Sequence, residues 1–287
     1  MQTEPRYRSI EWEKNKMKVV LFCGGLGLRM HPTTETLPKP LVPVGEKPIL
    51  WHLMKYYAYF GHKDFVLCLG YKGDEIKKFF LNYDECLSND FVLTRGGKRR
   101  QLLRSDIEDW RITFAETGLN MDIGQRLKRV QKYVENEETF LANYSDGLTD
   151  LPLPKLIDFY NKHKKIACLL SVKPFYVFHV ISAAPEGSVK SICQMSQSNL
   201  RINGGYFVFK NQIFDYIKEG EDLVNEPFQR LINERELVAY EYDGFWASLD
   251  TYKDKQRLDE LVSENNASWQ MWKNKSHTLI GEKSAQV

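Results

Sequence analysis

The sequence predicts an α/β fold with a mixed, mostly parallel central sheet and helices on both of its faces. Two observations carry this expectation: from Met17 onward apolar strand-like runs alternate with helix-periodic stretches, and the first strand opens into a glycine-rich loop. Strands joined through helices run parallel, and a parallel sheet buries both faces, so helices must cover it above and below. The first strand is the run Val19 to Cys23, and the first helix is the apolar-periodic stretch Ile49 to Phe60. Phe65 to Leu69 and Asp74 to Phe80 repeat the unit. Later strands are expected at Ile112 to Ala115, Thr139 to Tyr144, Ile166 to Val172, Ser188 to Cys193, Tyr206 to Phe209 and Leu237 to Tyr242. Helices are expected at Gln125 to Val134, Pro154 to Lys164, Glu226 to Glu234 and Tyr252 to Ser263. No repeat of solenoid length and no low-complexity linker divides the chain. The economical division is an N-terminal tail over 1–16, one domain over 17–272 and a C-terminal tail over 273–287.

Composition narrows the classes of partner. With 287 residues, 43% of them hydrophobic, the chain can bury an adequate core. Basic and acidic residues number 40 and 38, a net charge of +2, so neither nucleic acid nor a bilayer is expected as a partner. Any phosphate ligand would need local charge. Cys23, Cys68, Cys86, Cys168 and Cys193 show no CxxC spacing, and an odd number argues against a complete disulfide framework, so reduced thiols in a cytoplasm are expected. No apolar run approaches the roughly 20 residues of a spanning helix, and Met1 to Lys16 is charged throughout rather than signal-like.

After the first strand comes Cys23-Gly24-Gly25-Leu26-Gly27-Leu28-Arg29-Met30. Glycines let backbone N–H groups turn towards a polyanion, and Arg29 adds a fixed charge. Alone, such a loop leaves three readings open: a phosphate-binding loop, the turn of a dinucleotide-binding fold, or a purely structural turn. It matches neither GxGxxG nor the Walker pattern. Ten residues after Arg29 comes Lys39, within Pro38-Lys39-Pro40-Leu41-Val42-Pro43-Val44. A lysine between two prolines is expected in a stiff, extended segment that presents its ammonium to phosphate at low entropic cost.

Two carboxylates stand at strand ends. Asp146, in Asn143-Tyr144-Ser145-Asp146-Gly147, follows an apolar strand, and Asp250 lies at a strand-to-helix junction. Hard oxygen ligands converging from two strand ends suit Mg²⁺, which completes its shell with phosphate oxygens and water. Singly, Asp146 would also start a turn and Asp250 would cap the following helix.

The combination of GGLGLR, LPKPLVPVGEKPILWHLMKYY and GYKGDEIKKFF resembles the N-terminal half of sugar-1-phosphate nucleotidyltransferases, whose signature is a GGxGTRL loop followed by a PKP lysine. The stretches from Asp109 to Gly118 and from Gly124 to Val130 are similar to segments of the cytidylyltransferase branch, closest to the glucose-1-phosphate cytidylyltransferases. Further likeness runs through Ile202 to Phe207 and Gly244 to Thr251. The resemblance implies a Rossmann-like nucleotidyltransferase fold and an Mg²⁺-dependent transfer from an NTP, CTP above others, to a sugar 1-phosphate, yielding a nucleotide sugar and pyrophosphate. It implies nucleotide binding by Gly24, Gly25, Gly27, Arg29, Lys39, Thr117, Gly118, Arg126 and Asp146. Arg29, Lys39 and Asp146 would do the catalytic work, and the family's GDG and MDT motifs align Asp146 and Asp250 with metal ligands. Asn203, Gly204, Gly205 and Tyr176 would line the acceptor side. Family members commonly form oligomers, so a homo-oligomer is expected.

The sequence also departs from the family. Its mid-chain Glu-Lys-Pro, whose lysine binds the sugar phosphate, aligns here with Gln194-Met195-Ser196. Leu28 replaces a threonine of the phosphate loop, and Pro174 to Val180 lacks the usual Arg-Phe-Gly. Three explanations follow: Arg201 or Lys173 supplies the charge, the acceptor is not the usual hexose 1-phosphate, or the chain is a nucleotide-binding paralogue without turnover. A nicotinamide dehydrogenase would need an acidic ribose-binding residue where Lys39 to Pro43 stands. Lys98-Arg99-Arg100, beside Gly96-Gly97, reads as a solvated loop or subunit contact, His52 and His179 as packed residues, Cys23 as a small buried one, and Trp51, Tyr56, Tyr57, Tyr59 and Phe60 as core-facing aromatics.

Overall fold

The computed structural model describes residues 16–25, 37–174 and 179–273. Its strands are β1 (Val19–Phe22), β2 (Pro43–Val44), β3 (Lys47–Pro48), β4 (Asp64–Leu69), β5 (Phe91–Thr94), β6 (Arg99–Leu102), β7 (Arg111–Glu116), β8 (Thr139–Asn143), β9 (Gly147–Thr149), β10 (Ala167–Val172), β11 (His179–Ala183), β12 (Val189–Gln194), β13 (Ile202–Lys210), β14 (Leu237–Tyr242) and β15 (Trp246–Ser248). The helices are α1 (Ile49–Tyr59), α2 (Gly73–Leu81), α3 (Ile123–Val134), α4 (Leu153–His163), α5 (Glu226–Asn233) and α6 (Tyr252–Ser263).

Seven strands form the central sheet in the order β14-β10-β13-β8-β1-β4-β7. β1 pairs in parallel with β4 and β8, β4 with β7, and β10 with β14, while β13 runs antiparallel to both β8 and β10. The sheet is therefore mixed and mostly parallel, with β13 alone reversed. Strand alternation sends successive side chains to opposite faces. Val19 and Leu21 join Phe65, Leu67 and Leu69 in packing against Leu50, Leu53 and Tyr57 of α1 and Leu156 and Tyr160 of α4. On the other face Val20, Phe22, Val66 and Cys68 meet Leu127, Val130 and Val134 of α3 and Phe228 and Leu231 of α5. A third cluster, Val42, Val44, Ile49, Leu148, Leu249, Leu258 and Trp269, knits β2, β9, β15 and α6 together beside the sheet. Among the described residues no helix is long and apolar enough to cross a membrane.

Four expectations change. β13 begins at Ile202 rather than Tyr206, so Asn203, Gly204 and Gly205 lie inside the strand, next to a register shift opposite Leu169 to Ser171. Arg99 and Arg100 lie on β6, with Gly96 and Gly97 making the turn from β5 at φ +63° and +90°. The expected strand over 188–193 pairs with β11 in a hairpin apart from the main sheet. His179 is exposed on β11 rather than packed. His52, Cys23, Trp51, Tyr56 and Tyr57 are buried as expected.

Candidate active site

From β1 the chain moves outward through β4 to β7, then returns to β8 on β1's other side, so the strand order reverses between β1 and β8. Such a switch point opens a crevice at the carboxyl ends of the strands. There the residues after Phe22 and after Asn143 emerge side by side.

Three separate elements bring Lys39, Asp146 and Asp250 to one point. Lys39 opens a 3₁₀ turn, Lys39–Leu41, rather than the extended segment expected of a lysine between prolines. Pro40 fits because proline's φ suits the first helical positions, while Pro38 stays extended at φ −66°, ψ 148°. The Lys39 ammonium donates to Asp146 Oδ2 at 2.6 Å and to Asp250 Oδ1 at 2.8 Å. Burial alone would pull its pKa down; the charges of Asp146 and then Asp250, with their hydrogen bonds, outweigh it and raise the group above its ordinary value.

Asp146 is aimed by the residue before it. Ser145 takes a left-handed φ of +64°, stabilised by its N–H donating to Asn143 Oδ1 at 2.7 Å and its hydroxyl donating to the Phe22 carbonyl at 2.6 Å. Asn143 in turn donates from Nδ2 to the Tyr57 hydroxyl at 3.3 Å. Asp250 arrives through the pairing of β9 with β15, where Ser248 faces Gly147. Leu249 then donates its N–H to the Asp146 carbonyl at 2.8 Å. Asp250 does not cap α6. Thr251 does, through a capping box with Asp254, whose carboxylate also accepts the Asp250 N–H at 3.1 Å.

The site fits a divalent cation by its donors: two hard carboxylates from different strand ends converge and both pair with the Lys39 ammonium. Among the described residues no group of three or more His, Cys, Asp or Glu converges, so the protein would supply a pair of ligands and leave the other positions to phosphate and water.

Arg126 is 3% exposed and spends its guanidinium behind this crevice. Nη1 donates to Thr117 Oγ1 at 2.8 Å, to the Gly118 carbonyl at 2.9 Å and to the Leu69 carbonyl at 3.3 Å. Nη2 donates to the carbonyls of Gly24 at 3.0 Å and Leu119 at 3.1 Å. Burial lowers its pKa from the usual arginine value. Thr117, fully buried, commits both its N–H and its hydroxyl to the Leu69 carbonyl, at 2.9 and 2.7 Å. Arg126 and Thr117, expected as nucleotide contacts, are tied into the framework that joins β1, β4 and the 117–119 loop. Gly24 is required by this clamp, since a Cβ there would overlap the Arg126 guanidinium, whereas a Cβ on Gly25 would meet open space.

Among the residues expected to line the acceptor, Asn203 accepts the Gly205 N–H at 2.9 Å through Oδ1 and donates from Nδ2 to the Tyr144 hydroxyl at 3.1 Å. The Gly204 carbonyl accepts the Trp246 indole N–H at 2.9 Å. Gly205 has φ +74°, and a Cβ would come within 2.7 Å of the Tyr144 ring. Met195 begins a 3₁₀ turn after β12, and its carbonyl accepts from the Ser198 N–H and hydroxyl. Arg201 and Lys173 both pair with Asp243, Arg201 at 2.8 Å and Lys173 at 3.5 Å, and Arg201 also pairs with Glu241. Gly27, Arg29 and Tyr176 lie outside the described residues, as does Leu28. Sequence reasoning missed Asn143, Ser145, Tyr57 and Asp254; of these only the Thr251–Asp254 spacing carried a signal, that of a capping box.

An open α/β sheet with a glycine loop, a lysine and paired carboxylates at its switch point has the architecture of the nucleotide-handling α/β enzymes. The chain belongs to the nucleotidyl transferase family, whose profile matches residues 18–254. Over 258 residues it is 39% identical to a glucose-1-phosphate cytidylyltransferase of Salmonella typhimurium, spanning 89% of this chain and 100% of that one. Over the same length it is 37% identical to a probable glucose-1-phosphate cytidylyltransferase of Bacillus subtilis, again 89% of this chain and 100% of that one. The fold is also that of a UDP-glucose pyrophosphorylase solved with UDP-glucose, at TM-score 0.65 and 15% identity over 88% of this chain and 100% of the other.

Proposed function

We propose that this chain joins CTP to glucose 1-phosphate, forming CDP-glucose and releasing pyrophosphate. The observation that carries this reading is the convergence of Lys39, Asp146 and Asp250 at the switch point of a chain 39% identical to a relative of that name. A phosphate oxygen of the acceptor attacks the α-phosphorus, and the bond to the β-phosphate breaks in line. Such a reaction needs positioning and charge rather than a nucleophilic side chain. Backbone groups at Gly24, Gly25 and Gly27 would cradle the phosphates, with Arg29 and Lys39 stabilising the triphosphate and the leaving pyrophosphate. Asp146 and Asp250 would hold Mg²⁺, which when bound offsets the negative charge developing at the α-phosphorus. The base would be read along the loop that Gly118 enters, with Thr117 and Arg126 fixing its backbone. Asn203, Gly204, Gly205 and Tyr176 would face the acceptor.

A second reading has its own observation. Met195 stands where a phosphate-binding lysine is usual, and Lys173 and Arg201, the two cations expected to replace it, are both paired with Asp243. An acceptor other than a hexose 1-phosphate would account for this, as would a nucleotide-binding paralogue without turnover. Pyrophosphate release with Mg²⁺, screening CTP, UTP, dTTP, ATP and GTP against glucose 1-phosphate and other phosphorylated acceptors, separates these. The expected outcome is release with CTP and glucose 1-phosphate, reduced at least about 100-fold by Asp146→Asn, the scale on which loss of one charge-stabilising group acts. Release with another acceptor alone favours the second reading, and nucleotide binding without release favours the paralogue.

A cytoplasmic homo-oligomer is the accompanying proposal. It is supported by the free state of all five cysteines and by the apolar side chains of Leu93, Ile181 and Ile192 exposed on the hairpins β5–β6 and β11–β12. Light scattering that reports a monomer at micromolar concentration would remove it.

A further inference from the structure

We propose that the Lys39 ammonium is a built-in counter-cation that competes with divalent metal for Asp146 and Asp250, so that the carboxylate pair takes a metal fully only when triphosphate draws the lysine away. This rests on the nucleotidyl-transfer reading and adds an order of events to it.

The competition follows from geometry. Nζ lies 2.6 Å from Asp146 Oδ2 and 2.8 Å from Asp250 Oδ1, on the point where the two carboxylates converge. A metal bound to those same oxygens at the roughly 2.0–2.1 Å of Mg²⁺ would be in contact with the ammonium, so both cations cannot occupy the pair together. The attraction is weakly screened, because the side chains of Lys39, Asp146 and Asp250 are 14%, 27% and 13% exposed. The rest of the lysine is fixed: the Leu41 N–H donates to the Pro38 carbonyl at 2.8 Å, the Val42 N–H to the Lys39 carbonyl at 3.1 Å, and Val42 is fully buried. Exchange therefore requires only rotation of the four-carbon stem, which moves the ammonium off the carboxylates without disturbing the turn. A triphosphate is the anion that can receive it.

Without nucleotide, the lysine keeps two converging carboxylates from repelling each other and holds them in register. With nucleotide, the ammonium moves to phosphate and the pair, relieved of Lys39, accepts the metal. Nucleotide and metal thus assist each other's binding, and by linkage the assistance is reciprocal.

The test is Mn²⁺ binding to nucleotide-free protein, read from the electron paramagnetic resonance of free Mn²⁺, in wild type, Lys39→Met and Lys39→Met with Asp146→Asn. Lys39→Met is expected to bind Mn²⁺ at least tenfold more tightly than wild type, and the added Asp146→Asn to abolish the gain. Affinity equal to or weaker than wild type in Lys39→Met overturns the proposal, and so does a gain that survives Asp146→Asn, since the metal would then lie elsewhere. Should Lys39→Met fail to fold, Lys39→Leu, likewise uncharged and without an oxygen that could ligate the metal, is judged by the same outcomes. Because no turnover is read, failure here with intact pyrophosphate release sinks the competition alone, whereas absent release in wild type sinks the underlying activity.

Discussion

Arg126 makes the clearest prediction at the residue scale. Its guanidinium satisfies the carbonyls of Gly24, Leu69, Gly118 and Leu119 at once, from a position 3% exposed to solvent. The Leu69 carbonyl keeps the Thr117 N–H and hydroxyl and the Gly24 carbonyl keeps the Tyr71 N–H, so Arg126→Ala takes the donor from the Gly118 and Leu119 carbonyls; at about 1–3 kcal/mol for a buried acceptor left without a donor, unfolding free energy should fall by roughly 3 kcal/mol. Because the clamp joins Gly24 to the loop at Gly118, the KM for CTP should rise as well. Urea unfolding and initial rates check both; a variant as stable as wild type would mean that the clamp contributes nothing. Lys39 was singled out in the sequence by its flanking prolines and Asp146 and Asp250 by their strand-end positions, and the folded chain brings the three to one point. That they pair directly was not legible, because sequence does not say which cation a carboxylate meets first. For Arg126 a motif position suggested ligand contact, and only the folded chain shows its guanidinium bonded to carbonyls from three separate segments.

At the element scale the cap of α6 aims the Asp250 carboxylate. The Asp254 carboxylate accepts the N–H groups of Asp250 at 3.1 Å and Thr251 at 2.7 Å, while the Thr251 hydroxyl accepts from the Asp254 N–H at 3.2 Å. Thr251→Ala removes half of this box and should cost about 1 kcal/mol, the usual worth of an N-cap. It should also lower kcat for pyrophosphate release, because Asp250 enters the site from the residue before the cap, and Thr251→Ser should restore both. Unfolding midpoints and kcat measured together separate this from a cap that merely holds the helix. The central elements were readable because burial imposes a pattern: β4 is buried along Phe65 to Leu69, and α3 repeats Leu127, Val130 and Val134 on one face. The hairpin β5–β6 was not, because every residue of both strands is exposed and no burial constrains their order. β13 was read short for a related reason. Asn203, Gly204 and Gly205 have poor strand propensity, and it is the pairing of Ile202 and Asn203 with Val172 and Ser171 that draws them into the sheet.

At the scale of the whole molecule, two buried histidines hold the ends of the described chain onto the α/β body. His62, just beyond α1, accepts the Met17 N–H through Nδ1 at 3.0 Å and so fixes the entry to β1. His52, within α1, contacts the Val44 carbonyl through Nε2 at 2.9 Å, and Trp269 and Trp272 pack against its ring with centroids 6.2 and 6.3 Å away. Both settings favour a neutral ring. A proton on His62 Nδ1 would displace the bond from Met17, and one on His52 Nδ1 would lie buried with no acceptor, the Nε2 hydrogen already serving Val44. Burial accordingly pushes both pKa values from 6.5 down to about 4. In the unfolded chain each titrates near 6.5, so above that pH neither state gains a proton and stability is intact. As pH falls towards 4 the unfolded state is favoured, and at about 1.4 kcal/mol per pH unit the loss approaches roughly 3 kcal/mol per histidine before levelling off. His52→Gln places an amide N–H near Nε2, and His62→Asn places a carbonyl oxygen near Nδ1, so the double variant keeps both hydrogen bonds without the titration. Urea unfolding at pH 7.5, 6.5, 5.5 and 4.5 should show wild type losing stability across this window faster than the double variant. Carboxylates in other ion pairs contribute to both proteins alike, so the difference between the two curves isolates the histidines. Parallel curves would mean that neither ring resists protonation in the fold.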